Sequence, residues 1–479
     1  MTMGSNNLVS VPPETSVQAG VDSFSQGLTR YLSSLSLPAE NVLVEPQERL
    51  TVMNNLPAIV QRLNPQQKNE AMYISKFIAA CGAGLFDAAL NFLWNETVLN
   101  LRQKVIRFDI NYFLDSIITD TRRRASFRNE DDLKNLDDWE LIKGCKDTGI
   151  ITDIGYMHLD YIRDMRNHAS AAHPNHNDLD GLQLSSWLQT CIKEVLAKDP
   201  EGPVIEIRKL LNNLRTNVLS AADVPPIRAN LQQIPVVLID STLRAIFGMY
   251  TDPSLAAQVR TNLRLIVSSV WENSSVQAKY DCGLKFAVFS ANAEIQRKNL
   301  AHEFLDSLEN GLSYLTNDHR IMEMDQVLDT LYSAHMGWNN FHNEPPHARN
   351  LAKYIPANGE IPREVLAKYI KVLIMCAIGN AYGISSSAEP IYTELISHFS
   401  DKHYFEFIRL LADSDIQSRL RYSSCSINFR TLASQFNSRS TNLPLKEALK
   451  FIADSNNEAL PKLVNDTRLR SKVQIITLI

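Results

Sequence analysis

Arg166, Asn167 and His173, within the run YIRDMRNHASAAHPNH at 161–176, are the residues of this 479-residue chain whose types and spacing could do chemistry. An imidazole takes or gives a proton near neutral pH. An always-charged guanidinium can hold a phosphate and stabilise the added charge of a pentacoordinate phosphorus. Arg166 and His173 are seven residues apart, a rotation of about 700° on a helix, so both side chains project from one face. Such an Arg/His couple could serve as a metal-free ribonuclease pair, two of them facing each other across a two-fold axis supplying both an acid and a base; the plainer reading is a capping or surface-polar role.

The same run positions the pair. Ile162, Met165, Ala169 and Ala172 recur at spacings of three and four, a narrow apolar stripe that packs inward and whose small members let a partner helix approach closely. Pro174 removes an N–H and biases His173 away from helical geometry, so the helix is expected to end there with His173 at its open end. Upstream, helical spacing runs through Met72, Phe77, Ile78 and Cys81, then Leu85, Ala89, Phe92/Leu93 and Leu99, with a break at CGAG (81–84). The second of these helices continues through NFLWNETVLNLRQKVIRF without Pro or Gly and reads as a core element. Downstream, Leu184, Trp187/Leu188, Cys191/Ile192 and Val195 form another amphipathic stripe. Strand-like alternation is scarce throughout, and the expected fold is all-α.

Four boundaries follow from composition. Residues 1–40 read as a flexible tail with one short helix near 21–37, 41–200 as a helical domain, 201–227 as a proline-bracketed linker, and 228–479 as a larger helical C-terminal region with a weak sub-boundary near 345–360.

Other groupings are weaker. Arg163 with His168 and Arg297 with His302 are five residues apart, about 140° from facing on a continuous helix. The basic run Arg122, Arg123, Arg124 and Arg128 reads first as a solvated face and otherwise as an RNA phosphate-contacting patch. His342, Glu344, His347 and Arg349 could form a second polar site of a metal-dependent hydrolase, although Pro345 and Pro346 suggest a loop with exposed histidines. HPNHND at 173–178 lacks partners for a metal site.

Composition narrows the function classes. Hydrophobic residues make up 44% and charged ones 21%, the mix of a chain that folds, and the net charge of −5 gives no blanket attraction to nucleic acid or anionic membrane. Six cysteines, 46 or more residues apart, include no C-x-x-C pair and are expected to be buried thiols in a reducing compartment. The start, MTMGSNNLVSVPPETS, has neither a basic nor an apolar signal region, and no apolar stretch approaches the roughly 18–20 residues of a spanning helix. A cytoplasmic location without membrane contact is the expectation. Phosphate-loop, dinucleotide, zincin and nucleophile-elbow motifs are absent, and no cofactor or metal is expected.

RNHASAAHP at 166–174 resembles the R-x(4–6)-H signature of the HEPN superfamily, in which Asn often follows the Arg. The resemblance spans residues 66–198, through GLFDAALNFLWNETVLNLRQKV, the KDTGII segment, LDYIRDMRNHASAAHP and the closing amphipathic helix. It implies a small helical bundle with the motif near the start of a late helix, acting as a homodimer or higher homo-oligomer. It also implies an endoribonuclease of toxin, abortive-infection or antiphage type, with Arg166 and His173 catalytic, Asn167 orienting them, and RNA, such as tRNA, as substrate. The C-terminal region would then sense, scaffold or restrain the nuclease, alone or with a regulatory protein. Some members of the superfamily have lost activity, so the alternative is a non-catalytic helical adaptor.

Overall fold

The computed structural model describes residues 14–40, 42–118, 120–169, 179–198 and 202–476. Among them every regular element is helical, the one β feature being a single bridge between Asn380 and Gly383. The protein is all-α. It divides into two compact units, Met1–Gly248 with Ala256–Ser274, and Met249–Leu255 with Ser275–Ile479. No helix among the described residues is long and apolar enough to cross a membrane.

The first unit is built around the Phe86–Phe108 helix. Its buried positions Phe86, Leu90, Leu93, Trp94, Thr97, Val98, Leu101, Val105 and Phe108 recur at helical spacing. Each fully buried apolar side chain of this kind contributes about 1.5–3 kcal/mol. Packed on this helix are Met72–Ala83, Asp138–Asp147, Asp153–Ala169 and Gly181–Cys191. The CGAG break resolves to Gly84, which ends the Met72–Ala83 helix in the left-handed conformation at φ 82°. A Cβ there would lie 2.4 Å from Nε of Arg49. That buried arginine donates from Nε to the Val44 carbonyl and from Nη1 to Ser25 Oγ, each at 2.6 Å. The N-terminal helix Glu14–Ser34 is thereby tied to the unit, with Val21 buried, where composition had suggested a flexible tail.

Residues 202–227, in the stretch expected to be a linker, fall within the first unit, and their first half is built into its core. The Gly202–Thr216 helix buries Val204, Ile207, Leu211 and Leu214, and Arg215 pairs with Asp109. Fully buried Asn262, from the Ala257–Asn273 helix, donates to the carbonyls of Leu214 and Asn217 at 2.8 and 2.7 Å. It also accepts from the Leu219 N–H at 3.0 Å. The prolines start helices here: Pro203 is the second residue of Gly202–Thr216, and Pro225 and Pro226 stand in the first turn of Val224–Leu231, where a missing N–H costs no helical bond.

The second unit surrounds Arg363–Ile378, which is apolar on nearly every face and buries nine residues from Val365 to Ile378. Around it lie Asn317–Met336, Glu389–Ser397, Asp401–Arg409 and Ser423–Arg439. The sub-boundary expected near 345–360 lies inside this unit. Arg320 is buried and donates to the carbonyls of Tyr354, at 3.0 Å, and Glu360, fastening that segment to the Asn317–Met336 helix. All six cysteines are free and buried.

Candidate functional site

Arg166 sits near the end of the Asp153–Ala169 helix, where a cation is favoured by the helix dipole. Its Nη2 donates to Asp138 Oδ2, and its guanidinium lies 5.5 Å from the centre of the Trp94 ring. Trp94 Nε1 donates to the same Asp138 oxygen at 2.6 Å. One carboxylate and one indole therefore fix the guanidinium from two sides, while its Nε is buried without a hydrogen-bond partner. Asp138 owes its position to a local signal: Asp137 and Glu140 form a capping box that starts the Asp138–Asp147 helix.

An open depression of about 400 Å³ is lined by Asp137, Asp138, Trp139, Arg163, Arg166 and Asn167. Two of the three expected catalytic residues, Arg166 and Asn167, thus line one concavity beside a half-exposed tryptophan. His173, the third, lies outside the described residues, as does the HPNHND segment at 173–178. Ile162 is buried as the stripe requires.

The basic run converges on the same helix start. Arg123 grips both oxygens of Glu140 at 2.5 Å and holds its carboxyl below the usual range. Arg124 pairs with Asp115 at 2.7 Å and donates to Asn111 at 3.0 Å. Arg122 and Arg128 are exposed. Two of the four guanidinium groups read as phosphate contacts are therefore spent on carboxylates.

In the competing pairs the arginines bind carboxylates. Arg163 is bound to Asp160 and Asp164 at 2.9 and 2.8 Å, with His168 exposed. Arg297 pairs with Glu294 at 3.5 Å, whereas His302 bonds Glu323 at 3.1 Å.

Pro345 and Pro346 do not make a loop; they lie within the Asn340–Ala352 helix. Pro345 has no N–H for the Phe341 carbonyl, and Ser385 Oγ supplies the missing donor at 2.7 Å. On this helix His342 and Arg349 are exposed and His347 is half-buried, so the expected histidine pair does not meet. Glu344 instead turns inward. Its Oε1 lies 2.9 Å from His335 Nδ1 and accepts from Asn340 Nδ2 at 2.6 Å, and its Oε2 accepts from Tyr392 at 2.8 Å. Burial pushes the Glu344 carboxyl up, but the bonds from His335, Tyr392 and Asn340 outweigh it and hold the group low. Sequence reading missed His335, Cys376 and Tyr392. Cys376 stands in a largely apolar helix, but His335 lies on a helix rich in charged residues, and nothing in the local pattern sets it apart.

No family model, no curated protein and no solved structure matches this chain.

Proposed function

We propose that the Arg166 face of the first unit is an RNA-cleaving site of HEPN type that works without metal. The observation that carries this reading is the placement of Arg166 and Asn167 on one open depression, with the guanidinium held by Asp138 and Trp94. In this reaction the ribose 2′-oxygen attacks the adjacent phosphorus and the bond to the 5′-oxygen breaks. His173 takes the 2′-hydroxyl proton, and the partner copy's equivalent imidazole returns one to the leaving oxygen. The products are a 2′,3′-cyclic phosphate and a 5′-hydroxyl. Arg166 faces the developing phosphorane charge with the donors that Asp138 leaves open. Trp139, 47% exposed on the rim, offers a surface on which a base can stack.

Incubating the purified protein with tRNA and a generic single-stranded RNA in EDTA tests the proposal. Wild type should leave cyclic phosphate ends, and His173→Ala and Arg166→Ala should each lose at least about 100-fold in rate, the usual worth of a general acid–base group. Cleavage by both variants at the wild-type rate removes the assignment.

A second reading, a non-catalytic adaptor, has its own support. Arg166 is already neutralised by Asp138, and Ile154, Met157 and Tyr161 on the same helix are 62%, 68% and 55% exposed at spacings of three and four. Such an apolar face suits a second copy or a helical partner. An adaptor predicts intact RNA at all times and no His173-dependent slowing of a host that expresses the chain.

A further inference from the structure

Three potential metal ligands meet in the core of the second unit. His335 comes from the Asn317–Met336 helix, Glu344 from Asn340–Ala352 and Cys376 from Arg363–Ile378. One donor atom from each lies within 4.8 Å of the other two, and the residues are 2%, 1% and 1% exposed. A tetrahedral zinc ion with bonds of about 2.0–2.3 Å needs its ligand atoms about 3.3–3.6 Å apart, so the cluster closes on an ion by small side-chain adjustments.

The surroundings of the cluster point the same way. The His335 imidazole is fully enclosed, with its Nδ1 turned toward Glu344 at 2.9 Å, so that nitrogen is the one placed to bind an ion. Around the three ligands stand groups of the kind that orient a metal shell. Asn340 and Tyr392 both donate to Glu344.

We infer that His335, Glu344 and Cys376 form a binding site for a divalent transition-metal ion of the zinc type, buried in the second unit and independent of the Arg166 face. A nitrogen, an oxygen and a sulfur donor make a borderline-soft set, which suits zinc over calcium or magnesium. The carboxylate and the thiolate together cancel the charge of the ion, so the occupied site is electrically neutral in a dry interior. Binding forms a metal–sulfur bond and releases the thiol proton to solvent. A fourth donor, water or the Tyr392 oxygen, completes the tetrahedron. Tyr392 also lines a cavity of about 170 Å³, where Glu389, Asn428, Gln435 and Arg439 stand.

The experiment uses the full chain, refolded with zinc, with cobalt or with chelator. Zinc or cobalt should be retained at one equivalent after gel filtration. Cobalt should give a thiolate charge-transfer band in the near ultraviolet, and the zinc-loaded protein should melt at higher temperature than the chelator-treated one. Cys376→Ala should abolish the band, and Asn340→Ala, which loosens an orienting contact, should weaken binding about 10–100-fold. X-ray absorption on zinc-loaded wild type reads the shell without any variant and should show one sulfur at about 2.3 Å beside lighter donors at about 2.0–2.1 Å. Failure of wild type to retain either metal, a shell without exactly one sulfur, or a cobalt band that survives in folded Cys376→Ala overturns the inference.

Discussion

His403 lies in the second unit with its ring stacked on Phe399 at 4.8 Å, its Nδ1 accepting from the Ser400 N–H at 3.1 Å and its Nε2 enclosed without a partner. Burial, aided by the nearby Lys402 charge, pushes its pKa down to about 4. The unfolded chain therefore takes up a proton near pH 6.5 that the folded chain refuses until about pH 4, and stability must fall as pH drops through that window. The loss attributable to this one group is about 2–3 kcal/mol. Urea unfolding at pH 7 and pH 4.5 should show a smaller drop for His403→Asn, which keeps an acceptor near the Nδ1 position but cannot titrate. An equal drop in both proteins would remove His403 as the cause. Legibility at this scale was uneven. The spacing within RNHASAAHP reads as placing Arg166 and His173 on one helix face, and His173 lies outside the described residues; Asp138 and Trp94 reach Arg166 only through packing, and no local pattern encodes that. Glu344 was singled out with the wrong histidines. The chain reverses at Asn339, in the left-handed conformation at φ 59°, and so returns Glu344 to His335.

Helices were the easiest elements to read, because apolar spacing and glycine breaks are local. The break at 81–84 and the long core helix after it fell where the pattern put them. Pro345 and Pro346 were misread because the donor that rescues their helix, Ser385, arrives from a distant segment. Close approach between elements was also hidden. Gly144, in the middle of the Asp138–Asp147 helix, faces the Phe113 ring so tightly that an added Cβ would lie 2.7 Å from it and 2.9 Å from Ile117. At an exposed helical glycine, alanine gains about 1 kcal/mol. Here the sign should reverse: Gly144→Ala should cost about 1–3 kcal/mol by overpacking, measured by chemical denaturation. A stabilised Gly144→Ala would mean that the two helices yield freely.

At the scale of the whole molecule, the all-α class was readable from the near absence of strand alternation, whereas the division into units was not. Prolines near 200–226 suggested a linker, yet the chain passes between units at Gly248/Met249, beside the turn-like TDPS at 251–254, and again at Leu255/Ala256 and Ser274/Ser275. The first unit is discontinuous and takes back residues 256–274, with Asn262 bonded to the backbone at 214–219. A fragment of residues 1–274 should accordingly fold with a cooperative urea transition. One of residues 1–227 should not, because it leaves those carbonyls and the Gly202–Thr216 helix without their cover. Equal cooperativity in both fragments would show that the returning helix is dispensable.

The six buried cysteines fall three to a unit: Cys81, Cys145 and Cys191 in the first, and Cys282, Cys376 and Cys425 in the second. An alkylating reagent can reach them only when the surrounding helices open, so the native chain carries an internal clock for each half. Peptide mass spectrometry on protein exposed to such a reagent under mild denaturant should find one shared rate for the first triplet and another for the second. Their ratio then reports which half gives way first, without any engineered site.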